Sequence, residues 1–196
     1  LEKFCSETNI FVKIIENDTG RGVAKNFNNA LRYTTGDLIL LADQDDIWFP
    51  NKLKVYEKFF VENPSVHLML TDAAIFQENI NVTERTKLDY FRNRKYALDN
   101  FCTGCCMGFR RSFLELSMPI PSEGYAHDVW LSDVGSILES KVIVDEVTMY
   151  YRRHGANVSD HISSSINKVS RFAELSLLIK NRRKTKSVRS TNKHSE

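Results

Sequence analysis

An α/β fold, a mostly parallel sheet flanked by helices, is predicted by three features of this sequence. Apolar runs of strand length alternate with segments of helical periodicity through the first half of the chain. One run, Leu38-Ile39-Leu40-Leu41-Ala42, is apolar without interruption, as suits a strand buried on both faces. The acidic segment Asp43-Gln44-Asp45-Asp46 follows that run at once. In open α/β sheets, ligands bind just beyond the carboxyl ends of the strands.

The elements follow in order. Asn9 to Ile15 is apolar and β-branched and reads as a strand. After the loop from Asn17 to Gly22, the sequence places Val23, Phe27, Ala30 and Leu31 on one face of a helix running to Tyr33. Gly36 is expected to close it. The Leu38–Ala42 strand comes next, and Pro50 opens a second helix over Lys52 to Glu62, stopped by Asn63-Pro64. Val66 to Phe76 reads as a strand, and Gln77 to Asp99 as a long polar connection with one short helix. Cys102 to Arg110 is expected to be strand-like, Ser112 to Leu116 a short helix, and His127 to Leu138 a longer one. Short strands are expected at Val142 to Val144 and Thr148 to Arg152.

Composition narrows the function classes. Of 196 residues, 42% are hydrophobic and 27% charged, enough for a sizeable core in one domain. No apolar run is long enough to span a bilayer, and no signal peptide is visible. Three of four cysteines, Cys102, Cys105 and Cys106, crowd into one segment, with Cys5 far away. That suits small buried thiols in a reducing, cytoplasmic setting better than a zinc site, which needs a second pair. The net charge of +2 is unevenly spread. Nine Lys/Arg against two Glu lie beyond position 160, leaving the first 160 residues net acidic.

Three carboxylates in four residues repel one another, and a turn needs only one Asp. Such crowding is tolerated around a cation, and hard cations combine one or two carboxylates with phosphate oxygens. Asp43, Asp45 and Asp46 therefore read as a metal and diphosphate site. Two enzyme classes place Asp-x-Asp after an apolar strand. One is the haloacid-dehalogenase-type phosphatase, which also needs a later Lys and a downstream acidic pair; no convincing acidic pair is found here. The other is the glycosyltransferase.

Four blocks carry a specific resemblance. They are Gly22-Val23-Ala24-Lys25-Asn26-Phe27-Asn28-Asn29-Ala30-Leu31 with Thr35-Gly36-Asp37, Asp43-Gln44-Asp45-Asp46-Ile47-Trp48-Phe49-Pro50-Asn51-Lys52-Leu53, Thr103-Gly104-Cys105-Cys106-Met107-Gly108-Phe109 with Tyr125-Ala126-His127-Asp128-Val129-Trp130, and Tyr151-Arg152-Arg153-His154-Gly155-Ala156-Asn157. In this order they resemble family 2 glycosyltransferases of the GT-A fold, most of all the bacterial rhamnosyltransferase-like branch. The resemblance covers about residues 9 to 160. It implies a catalytic domain over residues 1–160, without the strand and helix with which the family normally begins.

The resemblance also implies roles. Asp43 would lie by the donor's ribose and diphosphate, and Asp45 with Asp43 would hold Mg²⁺ or Mn²⁺, supported by Asp46. Asp128 matches the family's catalytic base, which takes the acceptor hydroxyl's proton in an inverting displacement; capping a helix is a second use for the same residue. His154 would contact donor phosphates or the metal, or else sit on a solvated basic edge. Lys25 and Asn26 open a helix, where backbone N–H groups favour anions, so they are expected to help hold the donor. Gly104, Trp48 and His127 are expected to line the sugar and acceptor pocket, although Trp48 equally suits a core anchor. The implied donor is deoxythymidine-diphosphate rhamnose or a UDP-sugar, and the implied acceptor a surface polysaccharide or lipid-linked saccharide. An inactive remnant, or a part that works only with a partner, is the competing reading.

Residues 161–196 form a separate basic tail. Ile162, Ile166, Val169, Phe172, Ala173 and Ile179 recur near helical spacing before Arg182-Arg183-Lys184. Such a helix either packs on the body or lies peripherally on the inner face of the plasma membrane. No aromatic interleaving supports nucleic-acid binding.

Overall fold

The protein is described by a computed structural model covering residues 10–18, 20–81, 85–121, 125–154, 175–177 and 179–180. The elements are α1 (Val23–Leu31), β1 (Leu38–Leu40), β2 (Ile47–Trp48), α2 (Lys52–Glu62), β3 (Leu68–Phe76), α3 (Lys87–Asn93), β4 (Met107–Arg110), α4 (Arg111–Ser117), α5 (His127–Ile137) and β5 (Lys141–Arg152). Single 3-10 turns occupy Leu98–Asn100 and Gly104–Cys106.

The α/β class is as predicted, but the sheet is mixed. Its order is β1-β4-β3-β5-β2. Only β3 and β5 pair in parallel; β1 with β4, β4 with β3, and β2 with β5 are antiparallel. This corrects the expectation of a mostly parallel sheet. Strands β1 and β3 do run the same way, as a strand-helix-strand unit requires, since both oppose β4. The later strand β4 has inserted between them, which periodicity cannot reveal.

Strand β3 is the spine. Eight of its nine residues are buried, and its side chains alternate between two layers. Leu68 and Leu70 join the main core with Leu31, Ile39, Phe109, Phe113, Trp130 and Leu131. Met69 faces the other way, onto Tyr56 and Phe60 of α2. Helices thus cover both faces. Asp72, buried in β3, accepts N–H bonds from Ala73 (2.7 Å) and Leu88 (3.0 Å), and so anchors the first turn of α3 to the sheet.

Helix α2 matches its predicted bounds. Helix α1 ends earlier, at Leu31, and Gly36 is not left-handed, so it does not cap that helix. Asn9 to Ile15 is no strand over its described part: Ile10, Phe11 and Ile14 are exposed and lack the cross-strand neighbours that make such residues a strand. The two predicted short strands near the end are one, β5. Exposed Asp145 and Glu146 interrupt its apolar pattern, where the register with β3 shifts. Strand β2, only two residues, is too short to leave a pattern.

Leu175 and Ile179 are buried in the main core, so that part of the tail packs on the body. The basic cluster and the apolar positions from Ile162 to Ala173 lie outside the described residues. Among the described residues no helix is long and apolar enough to cross a membrane.

Packing beneath the sheet is tight at Gly108. A Cβ there would lie 2.4 Å from the Tyr56 ring. That ring is itself fixed, its hydroxyl donating to the Cys106 carbonyl at 2.6 Å and lying 2.9 Å from the Thr71 hydroxyl. Gly108→Ala is therefore expected to cost about 1–3 kcal/mol by overpacking. Urea denaturation checks this, and unchanged stability would contradict the packing described.

Candidate active site

The acidic segment is a turn between β1 and β2, directly after a strand as the sequence predicts, although β1 lies at the sheet edge with only Ile39 of its three residues buried and is not the doubly buried strand expected. Two carboxylates point inward. Oxygens of Asp43 and Asp46 and the Cys105 sulfur all lie within 4.8 Å of one another. Burial raises the pKa of both carboxyls. For Asp43 the neighbouring charge of Asp46 adds to this, with smaller contributions from Asp45 and Asp128. For Asp46 a hydrogen bond from the Cys105 thiol and one from the Arg152 N–H (3.1 Å) partly offset burial. The other oxygen of Asp46 is buried without a hydrogen-bond partner.

This donor set suits a divalent cation. Two carboxylates that resist ionisation together gain from a positive charge, and one presents an unmatched oxygen. Cys105 is a poor ligand for a hard cation. A hydrogen bond with Cys106, then burial, pushes its pKa well up, so the thiol stays protonated and serves as a donor. All three described cysteines are free thiols, and Cys102 is pushed up to about 12 by burial. That agrees with buried structural thiols.

Asp45 turns toward β5 instead. Its Oδ2 lies 2.8 Å from His154 Nε2. The end of β5 therefore clasps the acidic turn twice, through the Arg152 backbone on Asp46 and the His154 ring on Asp45. Strand β2 lies under the turn, pairing Ile47 with Tyr150 and Trp48 with Met149.

Sequence patterning assigns no role to Lys52, yet it is fully buried beneath this turn. Its Nζ donates to the Cys105 carbonyl at 2.8 Å and sits 4.6 Å from the Trp48 ring centroid. Burial lowers its pKa, opposed first by the neighbouring Cys106 and Cys105 groups and then by the Asp46 and Asp43 charges. It is an internal counter-charge for the acidic turn. A lysine at the start of a helix normally reads as solvated, so only its place six residues after Asp46 hints at more. Trp48 is half-buried, packed on the core with its ring under Lys52, as the core-anchor reading expects.

The third group comes from the start of α5. Asp128 is half-buried in the first turn, accepting from the Val129 N–H at 2.8 Å and from the Gly104 N–H. Burial pushes its pKa up to about 6. Beside it, the His127 ring stacks on Phe27 of α1, with ring centroids 3.9 Å apart. Burial holds His127 down to about 4, so the ring is neutral near pH 7, and its Nε2 has no partner. Gly104 is required here by close approach: a Cβ would stand 2.7 Å from His127 Nε2 and 3.5 Å from Asp128 Cβ.

The structure thus gathers Asp43, Asp45, Asp46, His154, Gly104, His127 and Asp128 around one region. Lys25 and Asn26 stand in the first turn of α1, where their contacts are with the preceding loop. Lys25 Nζ lies against Gly20, and the Asn26 side chain bonds that of Asn17.

Comparisons with known proteins bear on the family and the fold. The sequence profile of the family described as "Glycosyl transferase family 2" matches residues 1–116. A curated relative, the UDP-Glc:alpha-D-GlcNAc-diphosphoundecaprenol beta-1,3-glucosyltransferase WfgD of Escherichia coli, is 32% identical over 68 residues. That match covers 35% of this chain and 26% of the relative. EpsE of Bacillus subtilis strain 168 is 31% identical over 67 residues, 34% of this chain and 24% of EpsE. Each match spans about a quarter of the relative's own length. The fold resembles that of S. aureus TarS residues 1–349 in complex with UDP-GlcNAc, with a TM-score of 0.58 at 18% identity. That alignment covers 92% of this chain and 52% of the other.

Proposed function

The chain belongs to glycosyl transferase family 2, and we propose that it forms the catalytic centre of an inverting, metal-dependent enzyme that moves a sugar from a nucleotide-sugar donor to a saccharide acceptor. One observation carries this reading. Adjacent residues join the two groups: the Cys105 sulfur lies within 4.8 Å of oxygens of Asp43 and Asp46, while Gly104 beside it packs so tightly on Asp128 that an added Cβ would stand 3.5 Å from the Asp128 Cβ, so a candidate base and a candidate diphosphate site share one region.

Asp43 and Asp46, whose oxygens converge, would hold Mg²⁺ or Mn²⁺ and face the donor, and the family resemblance adds Asp45, which lies between them in the chain and rests on His154. When bound, the ion neutralises charge on the departing nucleoside diphosphate. His154 and the Arg152 backbone keep Asp45 and Asp46 aimed. Lys52 offsets the charge of the turn from below. Lys25 and Asn26 belong to the donor side through the helix start they occupy.

Asp128 takes the acceptor proton. An acceptor hydroxyl oxygen attacks the anomeric carbon, the bond to the diphosphate oxygen breaks, and the hydroxyl proton passes to Asp128. A proton affinity raised toward neutrality makes a carboxylate better at this task. The Gly104 and Val129 N–H groups fix its orientation. His127, neutral and stacked on Phe27, adds no positive charge that would quench the base, and its ring packs against Gly104 beside Asp128. Gly104 and His127 thus define the sugar and acceptor side, with Trp48 supporting from the core.

The resemblance to the rhamnosyltransferase-like branch supports deoxythymidine-diphosphate rhamnose as donor, while the UDP-Glc in the name of WfgD supports a UDP-sugar. The acceptor is a lipid-linked saccharide or surface polysaccharide, reached at the inner face of the plasma membrane. Thermal-shift titration with each donor in Mn²⁺ separates the two. A response to neither would sink both assignments. No observation favours the phosphatase reading, and release of phosphate from an aryl phosphate would be needed to revive it.

A pH dependence follows. Asp128 must be ionised to accept a proton, so kcat/KM should rise with pH through about 6 and level off above it. Below that value it should fall about tenfold per pH unit. A profile flat from pH 5 to 8 would remove Asp128 as the base.

A further inference from the structure

Helix α1 touches the base side of the site at two adjacent residues. The Phe27 ring stacks on the His127 ring, with centroids 3.9 Å apart and planes 14° from parallel. Asn28 grips the chain upstream of His127. Its side-chain amide donates to the Ile120 carbonyl at 3.2 Å, and its side-chain oxygen accepts from the Ile120 N–H at 3.2 Å. Ile120 is itself buried in the main core. Helix α1 thus holds both the start of α5 and the segment that leads to it.

The His127 ring is enclosed from two sides. Phe27 covers one face, and Gly104 stands so close that an added Cβ would lie 2.7 Å from Nε2. Only 8% of the residue is exposed. An aromatic face attracts a cation, so the stack alone would favour an imidazolium. Loss of water outweighs that: burial holds the His127 pKa down to about 4, with the Asp43 charge opposing. Asp128, next in the chain, packs on the same glycine. Burial pushes its pKa up to about 6, opposed by the Val129 N–H and, further down, by Lys87 of α3.

Sequence patterning gives Phe27 to the apolar face of a helix and nothing more. Its stacking partner is a titratable ring beside the candidate base, which packing alone does not require. We infer that Phe27 is a positioning residue for the base: its ring covers His127 and so keeps the start of α5 dry and free of positive charge beside Asp128. The word base rests on the transferase reading; the cover itself does not. An uncovered histidine here would take up a proton closer to neutral pH, and that cation would favour ionised Asp128. Water reaching the start of α5 would act in the same direction. Asp128 would then hold the acceptor proton less well.

The test is an NMR pH titration of the full chain in EDTA, with isotope-labelled histidine and aspartate. His127→Gln and Asp128→Asn assign the two signals. In the parent, the His127 ring protons should show the upfield displacement of nuclei lying over an aromatic face. Its absence overturns the stack, whatever the variants do. Phe27→Ala should raise the His127 midpoint from about 4 by about one pH unit or more, and lower that of Asp128 from about 6. Phe27→Leu restores an apolar cover and should return both midpoints most of the way to those of the parent. If the alanine variant does not fold, Phe27→Val should give smaller shifts of the same signs. A His127 midpoint that loss of the ring leaves unmoved, an Asp128 midpoint that stays or rises, or a failure of leucine to restore them overturns the inference. No sugar transfer is read, so the cover over His127 and the transferase reading fail independently.

Discussion

Asp128→Asn is expected to lower kcat by roughly 10²- to 10⁴-fold, the usual contribution of a positioned general base, while leaving donor affinity within about twofold. The amide keeps the size of the side chain, and its oxygen can still accept from the Val129 N–H, so the site stays formed. It cannot take the acceptor proton. The same change should stabilise the fold above pH 6. The folded pKa of Asp128, about 6, is raised above the ordinary 3.8. Stability from the neutral carboxyl is fully present below the ordinary value and is lost as pH rises through the folded one. The ionised side chain then burdens the fold by up to about 3 kcal/mol, since a tenfold change in proton affinity is worth about 1.4 kcal/mol. Asn escapes that cost. Denaturation at pH 8 should show the gain, and it should vanish toward pH 4. A variant that turns over normally, or one destabilised at pH 8, would contradict the role given to Asp128.

Lys52→Met carries the second large effect, on stability. The thioether side chain preserves most of the buried stem and removes the charge. It leaves the Cys105 carbonyl without the 2.8 Å bond it accepts, and the Asp43 and Asp46 carboxylates without their counter-charge. Removing one partner of a buried charge cluster costs about 3–5 kcal/mol. Part of that should return when a divalent ion is added, because the ion supplies the missing positive charge from the other side. Melting curves with and without Mn²⁺ measure both. A variant as stable as the parent would mean that Lys52 is no counter-charge.

These two residues mark what a sequence can and cannot show. Asp128 is legible because it stands at a helix start after a small-residue segment, in a block with a family resemblance. The acidic turn is legible because crowded carboxylates after an apolar run demand a physical reason. Helix α2 is legible because Pro50 and Asn63-Pro64 bracket it. Lys52 is not, since burial of a lysine depends on Trp48, Cys105 and Met149 meeting over it from three parts of the chain. Strand order is also hidden. The insertion of β4 between β1 and β3 is a long-range pairing, and Gly108, which permits it against Tyr56, looks like any glycine. The division of labour among the three acids is legible only as a group. Which of them turns toward His154 is settled by where β5 ends, and Asp145 and Glu146 obscure β5 itself.

The claim that the acidic turn holds a metal-bound nucleoside diphosphate is tested most directly by titrating UDP and deoxythymidine diphosphate into the chain with Mn²⁺ and again with EDTA. The account predicts binding of at least one of them in Mn²⁺, its loss in EDTA, and its weakening by roughly 10- to 100-fold or more in Asp45→Ala. Equal binding with and without metal, or binding that Asp45→Ala leaves untouched, would contradict it.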